Sequence, residues 1–117
     1  MSITDLEYRY LESQPLGRLA TIGPDGGPQN RPVAHFPDRI DRVIDIGGYA
    51  LGTSQKFRNV QRDGRVSLIV DDIAAARPRG VEIRGRAEAL TEQPPLAEGF
   101  STEIIRIHPQ QVLSWGL

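Results

Sequence analysis

Thr53, Ser54 and Lys56 stand together in the stretch Thr53-Ser54-Gln55-Lys56-Phe57-Arg58-Asn59-Val60, where a helix is expected to begin. The first turn of a helix carries backbone N–H groups with no carbonyl partner, and the aligned peptide dipoles leave that end positive. Two hydroxyls and an ammonium added to such a turn make an anion site suited to a phosphate. The same residues have a plainer reading, in which Ser54 or Thr53 only caps the helix and Lys56 lies in solvent. Lys56 is the one lysine among fourteen basic residues. Arginine-favouring codon usage explains most of that bias, but a compact ammonium is not equivalent to a guanidinium as a phosphate ligand. A second candidate is the strand Gln29-Asn30-Arg31-Pro32-Val33, where polar side chains and a proline interrupt an apolar pattern. It reads either as a strand whose backbone and amides line a flat polar ring, or as an edge protected by Pro and Arg. Trp115, the single tryptophan, is either core or a stacking surface for a partner subunit or a ring system.

Other chemistries lack their residues. Neither His35 nor His108 has a second ligand at metal spacing, so no metal site is expected. Cysteine is absent, which excludes disulfides and thiolate chemistry. There is no G-x-S-x-G nucleophile turn, and no G-x-G-x-x-G follows a strand. Asp71 and Asp72 are adjacent in a strand and so point to opposite faces; they read as a solvated strand end rather than a catalytic pair. A net charge of −1 leaves no electrostatic footprint for nucleic acid. MSITDLEYRY has no apolar core of a signal peptide, and no apolar run approaches the ~20 residues of a membrane helix, so a cytoplasmic protein is expected.

The elements that must position these residues fit one domain over residues 1–117. A short helix opens the chain, with Ile3, Leu6, Tyr10 and Leu11 on one face and Thr4 and Glu7 at capping-box spacing. Strands are expected over Arg18–Ile22, Asn30–Phe36 and Arg42–Ile46, separated by the turn-forming GPDGGP and by Pro37-Asp38. Pro32 cannot donate to a ladder, so its strand should be an edge or bulged there. A helix from Thr53 or Ser54 to Arg62 buries Phe57 and Val60, turns Lys56, Arg58 and Arg62 outward, and stops at Asp63-Gly64 with Gly64 left-handed. Strands Arg65–Asp71 and Gly80–Leu90 alternate cleanly around a loop at Asp72–Arg79. A loop over Thr91–Ser101 leads to strands Glu103–Ile107 and Val112–Trp115, parted by His108-Pro109. The total is a mainly β chain of six to seven antiparallel strands with two short helices. A closed or partly open barrel removes the exposed edges such a chain would otherwise carry.

In order along the chain stand R-L-A-T-I, D-G-x-P, Q-N-R-P-V, a strand ending in G-G, T-S-Q-K-F-R-N-V, R-D-G-R-V-S-L-I-V-D and V-E-I-R-G-R-A-E-A-L. This order resembles the pyridoxamine 5′-phosphate oxidase-like superfamily of split β-barrel flavoproteins, and more closely its actinobacterial branch of deazaflavin (coenzyme F-420)-dependent enzymes. The similarity runs over about residues 16 to 115. It implies a Greek-key split β-barrel of the FMN-binding type, working as a homodimer with two cofactors at the subunit interface. It implies that Ser54-Gln55-Lys56, preceded by Thr53, holds the cofactor phosphate, with Gln55 where an arginine is common. It implies that Asn30, Arg31, Pro32 and Val33 line the ring, that the opposite strand ends at Ile46 and Gly47, and that Trp115 approaches from one of the two subunits. The oxidase itself holds pyridoxal phosphate through a C-terminal extension that has no counterpart here, so vitamin B6 oxidation is not expected. The implied activity is hydride transfer between the deazaflavin, or alternatively FMN, and a small organic acceptor. Arg31 and His35 are the candidate proton donors, and Arg58, Arg77 and Arg79 are candidates for the deazaflavin's longer acidic tail. A non-catalytic flavin or haem binder, with His35 as axial ligand, is the remaining alternative.

Overall fold

Period-two burial marks two long paired strands of a sheet that closes on itself, whereas Val43–Gly47 is buried at every position. Along Arg65–Ala74, Val66, Leu68 and Val70 point inward; along Arg77–Leu90, Val81, Ile83 and Ala87 do the same. The computed structural model describes residues 2–117. Helix α1 (Asp5–Ser13) precedes β1 (Gly17–Ile22), β2 (Pro28–Asp38) and β3 (Val43–Gly47). A 3-10 turn at Leu51–Thr53 leads into α2 (Gln55–Arg62), and β4 (Arg65–Ala74), β5 (Arg77–Leu90) and β6 (Ile104–Trp115) complete the chain. The six strands form a closed antiparallel barrel in the order β1-β2-β3-β6-β5-β4, with β4 returning to β1. Its interior is filled by Leu19, Ile44, Ile46, Leu68, Val81, Ile83, Ile105 and Ile107. Among the described residues no helix is long and apolar enough to cross a membrane.

The two helices dock on this barrel by different means. In α1 the expected capping box is present: the Thr4 hydroxyl accepts from Glu7 N–H and the Glu7 carboxylate from Thr4 N–H. The buried face is Tyr8, Tyr10 and Leu11 rather than one containing Leu6, which is 49% exposed. Tyr10 donates to Asp72 Oδ1 at 2.8 Å and lies under the Arg79 guanidinium, so polar anchoring decides the helix's rotation. In α2, Phe57 and Val60 are buried as their spacing requires. Its stop differs from expectation. Gly64 is not left-handed; it is needed because a Cβ there would lie 2.8 Å from the Ala87 carbonyl oxygen.

Two further expectations are corrected. Ile104–Trp115 is one continuous strand, not two. The register passes from Arg84↔Gln111 to Gly85↔Pro109, so Gln110 is an extra residue on β6. A bulge at that point accommodates the proline without breaking the strand. Asp72–Arg79 is not a loop. Strands β4 and β5 pair down to Ala74↔Arg77, leaving only Ala75 and Ala76 at the tip, with φ of 51° and 61°. Both φ values are positive, as a two-residue hairpin of matching twist demands, and alanine tolerates this poorly. Replacing Ala75-Ala76 with Asn-Gly is expected to stabilise the protein by ~1–2 kcal/mol, read as a higher midpoint in urea with unchanged slope.

Candidate functional site

The strand β2 has two halves. From Ala34 to Asp38 it pairs with β3, whereas from Pro28 to Val33 its ladder is with β1. Pro32 falls in the half that β3 does not reach, as its missing N–H requires. There the barrel is split, and the amino end of α2 faces the gap. Leu19, Thr21, Gln29, Asn30, Arg31, Ser54, Gln55 and Lys56 line the resulting groove, of about 370 Å³.

The electrostatics of this groove are one-sided. Lys56 is partly buried rather than fully solvated. Burial and then the charge of Arg31 hold its ammonium below the usual lysine range. Among the described residues neither Lys56 nor Arg31 has a carboxylate partner, whereas Arg18, Arg39, Arg65, Arg79, Arg84 and Arg106 are each ion-paired. Two cations lining one groove without an acid destabilise each other until an anion lies between them.

Of the two readings of the hydroxyls, the structure shows the capping one for Ser54. Ser54 Oγ donates to the Leu51 carbonyl at 2.6 Å and accepts from Phe57 N–H, so it is the N-cap. Thr53 Oγ1 donates to the Ala50 carbonyl, and Thr53 is absent from the groove lining. Both hydroxyl protons are therefore committed to the backbone. Gln55 is likewise committed, donating to Asn59 and accepting from Arg58. The donors that remain are the Lys56 ammonium, the Arg31 guanidinium, which gives only Nη1 to the Asn30 carbonyl at 3.4 Å, and the backbone N–H groups of Gln55 and Lys56, which lie ahead of the first helical carbonyl.

Residues 30–33 do not act as one surface. Register places Arg31 opposite the inward Leu19, while Asn30 and Pro32 pair with Ala20 and Arg18 on the outer face. Val33 is sealed in the core, as is Ile46, and Gly47 lies beneath Phe100 and Leu96. Side chains of four successive strand residues cannot share a ring; only their backbone edge can. Trp115 lies over Gly80, remote in register from the groove of its own chain. His35 is buried between α1 and β2, with Nε2 donating to the Leu11 carbonyl at 2.9 Å. It is outside the groove, so it cannot deliver a proton there, and its Nδ1 is buried with no hydrogen-bond partner among the described residues. Arg79 is neutralised by Asp72, so it too is withdrawn as a tail ligand. The described residues contain no cluster of His, Asp and Glu able to hold a metal.

Asn59 was missed by sequence reasoning. It is 0% exposed and bonds to Thr21 and Gln29, both in the groove wall. Its only signal was a polar residue on the Phe57–Val60 face of a helix, a position that should be apolar.

A closed six-stranded barrel opened along β2, with a cationic groove under the amino end of one helix, defines a split β-barrel. The chain belongs to the pyridoxamine 5′-phosphate oxidase family, whose model matches residues 4–116. It is 41% identical over 125 aligned positions to the 5a,11a-dehydrotetracycline/5a,11a-dehydrooxytetracycline reductase of Streptomyces rimosus, spanning 100% of this chain and 85% of that protein. Among solved structures, the conserved hypothetical protein Rv2991 of Mycobacterium tuberculosis superposes with a TM-score of 0.75 at 26% identity, covering 98% of this chain and 86% of that one. A solved F-420 reductase superposes with a TM-score of 0.74 at 26% identity, covering 95% of this chain and 98% of that one. Family and relatives make the chain an oxidoreductase.

Proposed function

We propose that the chain transfers a hydride between the deazaflavin coenzyme F-420 and a small organic acceptor, as a cytoplasmic homodimer with a cofactor groove at each end of the subunit seam. The observation that carries this reading is the pair Lys56 and Arg31, lining one groove of the split barrel with no carboxylate partner among the described residues. The cofactor supplies the hydride chemistry. The residues of the chain hold and orient it. Lys56, Arg31 and the first-turn N–H groups of α2 take the phosphate. The backbone edge of β2 at residues 30–33 sets the plane of the ring. Both placements give proximity and a fixed approach, which is where the rate gain lies.

Deazaflavin is favoured over FMN by what lies beyond the phosphate. Helix α2 carries Lys56, Arg58 and Arg62 and no acid. Among the described residues Arg58 bonds only to the Thr53 carbonyl and the Gln55 amide, and Arg62 only to the Ile22 carbonyl and Asn59. Their charges are uncompensated and suit a longer acidic tail. The acceptor is taken to be an unsaturated organic molecule, of which that relative's 5a,11a-dehydrotetracycline is one example. A second copy is expected on the outer sheet, where Ile73 is 73% exposed and Leu113 and Trp115 are partly bare. Only a partner could bring a Trp115 to this groove. Fluorescence titration with the deazaflavin and with FMN, alongside light scattering, tests the reading. Micromolar or tighter deazaflavin binding by a dimer is expected; a monomer that binds neither cofactor would sink it.

A further inference from the structure

A second cavity of about 370 Å³ lies where the start of α1 meets the turn between β2 and β3. Ile3, Asp5, Tyr8, Arg39, Arg42 and Pro109 line it. Its two guanidiniums are not alike. Arg39 donates from Nε and Nη2 to the Glu12 carboxylate, at 3.3 and 2.8 Å, and from Nη1 to Asp5 at 3.2 Å. It also lies over the Tyr8 ring, 5.0 Å from the centroid, so its charge is already spent. Arg42 makes neither an ion pair nor a side-chain hydrogen bond among the described residues. Its φ of 58° is left-handed backbone, where Gly or Asn sits with less strain. The Asp38 carboxylate fixes that turn by accepting from the Ile40 and Asp41 N–H groups. Tyr8 supplies the second observation. It is 6% exposed, yet its hydroxyl bonds to nothing among the described residues. Among those residues the only sealed side-chain polar atom without a partner is His35 Nδ1, so the Tyr8 hydroxyl reaches the open cavity that Tyr8 lines. Burial pushes its ionisation above the ordinary tyrosine range, against the pull of Arg42 and Arg39, so the phenol keeps its proton and is a donor.

We propose that this cavity is a second binding site, for a small organic monocarboxylate with an apolar body: Arg42 and the Tyr8 hydroxyl take the carboxylate, and Ile3 and Pro109 take the body. One unspent cation beside Asp5 matches one negative charge. A dianion such as phosphate would leave a charge uncompensated next to that acid. The site stands apart from the cofactor groove of its own chain. Arg31 lines that groove, and roughly 20 Å of extended strand separates Arg31 from Asp38, at the end of β2 where this cavity begins. The inference therefore does not rest on the cofactor reading.

The test is calorimetric titration of the full chain with benzoate, with its uncharged analogue benzamide, and with inorganic phosphate, alongside thermal midpoints. Benzoate is expected to bind with a Kd below ~1 mM, and benzamide and phosphate at least about tenfold more weakly. Two variants remove the two donors without touching the core. Arg42→Asn suits the left-handed backbone better than arginine does, and Tyr8→Phe removes a hydroxyl that is unbonded in the unliganded protein. Each should melt at or above the wild-type midpoint without ligand, and each should bind benzoate about tenfold more weakly or worse. Lys56→Ala should bind benzoate as the wild type does, whereas loss there would move the site to the cofactor groove and overturn the proposal. No uptake of benzoate, equal uptake of benzamide, tighter binding of phosphate, or undiminished affinity in Arg42→Asn would overturn it as well. Deazaflavin titration of Arg42→Asn separates the two readings. Cofactor affinity should be unchanged there, and a wild type that takes benzoate but neither cofactor overturns the functional reading alone.

Discussion

Lys56→Ala is expected to weaken cofactor binding by about a hundredfold while the barrel stays folded, because it removes a charge-assisted donor that no other ammonium can replace. The unliganded protein should respond in the opposite sense. Burial and the Arg31 charge make the Lys56 cation unfavourable when no anion is present. Its folded pKa lies below the ordinary lysine value of 10.5. For a base shifted in that direction, the cost to stability is full at neutral pH, and stability recovers as pH rises through the interval between the lowered value and 10.5. A near-isosteric uncharged variant, Lys56→Met, should therefore melt slightly above wild type, by less than ~1 kcal/mol, while binding cofactor as poorly as the alanine variant. Cofactor affinity of the wild type should decline over the same alkaline interval, since only the charged form grips the phosphate. Parallel thermal melts and titrations of the three proteins check both signs. Lower apo stability in Lys56→Met would mean that the ammonium is already paired and the groove is not waiting for an anion.

Phe57→Ala is the second large effect. Phe57 is 3% exposed in α2 and belongs to the barrel core along with Val60. Truncation removes the ring and leaves a cavity under the helix, which costs about 3–5 kcal/mol in a domain whose whole stability is about 5–15 kcal/mol. The site should be lost before the fold is. Helix α2 has eight residues, too few to persist without docking. Its first turn supplies Lys56 and the free N–H groups. Urea unfolding should show the stability loss, and titration at low urea should show cofactor binding abolished while barrel signals remain native. Phe57→Leu, which keeps most of the buried surface, is expected to retain binding. Undiminished affinity in Phe57→Ala would show that the cradle does not depend on α2 being docked.

The sequence alone determined those features that depend on near neighbours. Alternation placed β4 and the inner face of β5, because a strand's two faces differ at every second residue. Thr4 with Glu7 announced the first helix start, and Thr53 or Ser54 the second, because capping is a contact across three residues; the structure makes Ser54 the cap. The solitary Lys56 was legible as a phosphate candidate for the same reason. What required the tertiary structure was everything set by contact between distant segments. Only the closed barrel brought Arg31 of β2 and Lys56 of α2 into one groove, both without a carboxylate partner among the described residues. Packing against Ala87 explained Gly64, and register along β5 turned Gln110 into a bulge and two expected strands into one. Pairing down to Ala74↔Arg77 forced two alanines into left-handed backbone that no local preference predicts. Asn59 is the clearest case. Its meaning lies in four partners drawn from β1, β2 and both ends of its own helix, and hydrogen bonds between separated strands leave no mark on the spacing of residues along a chain.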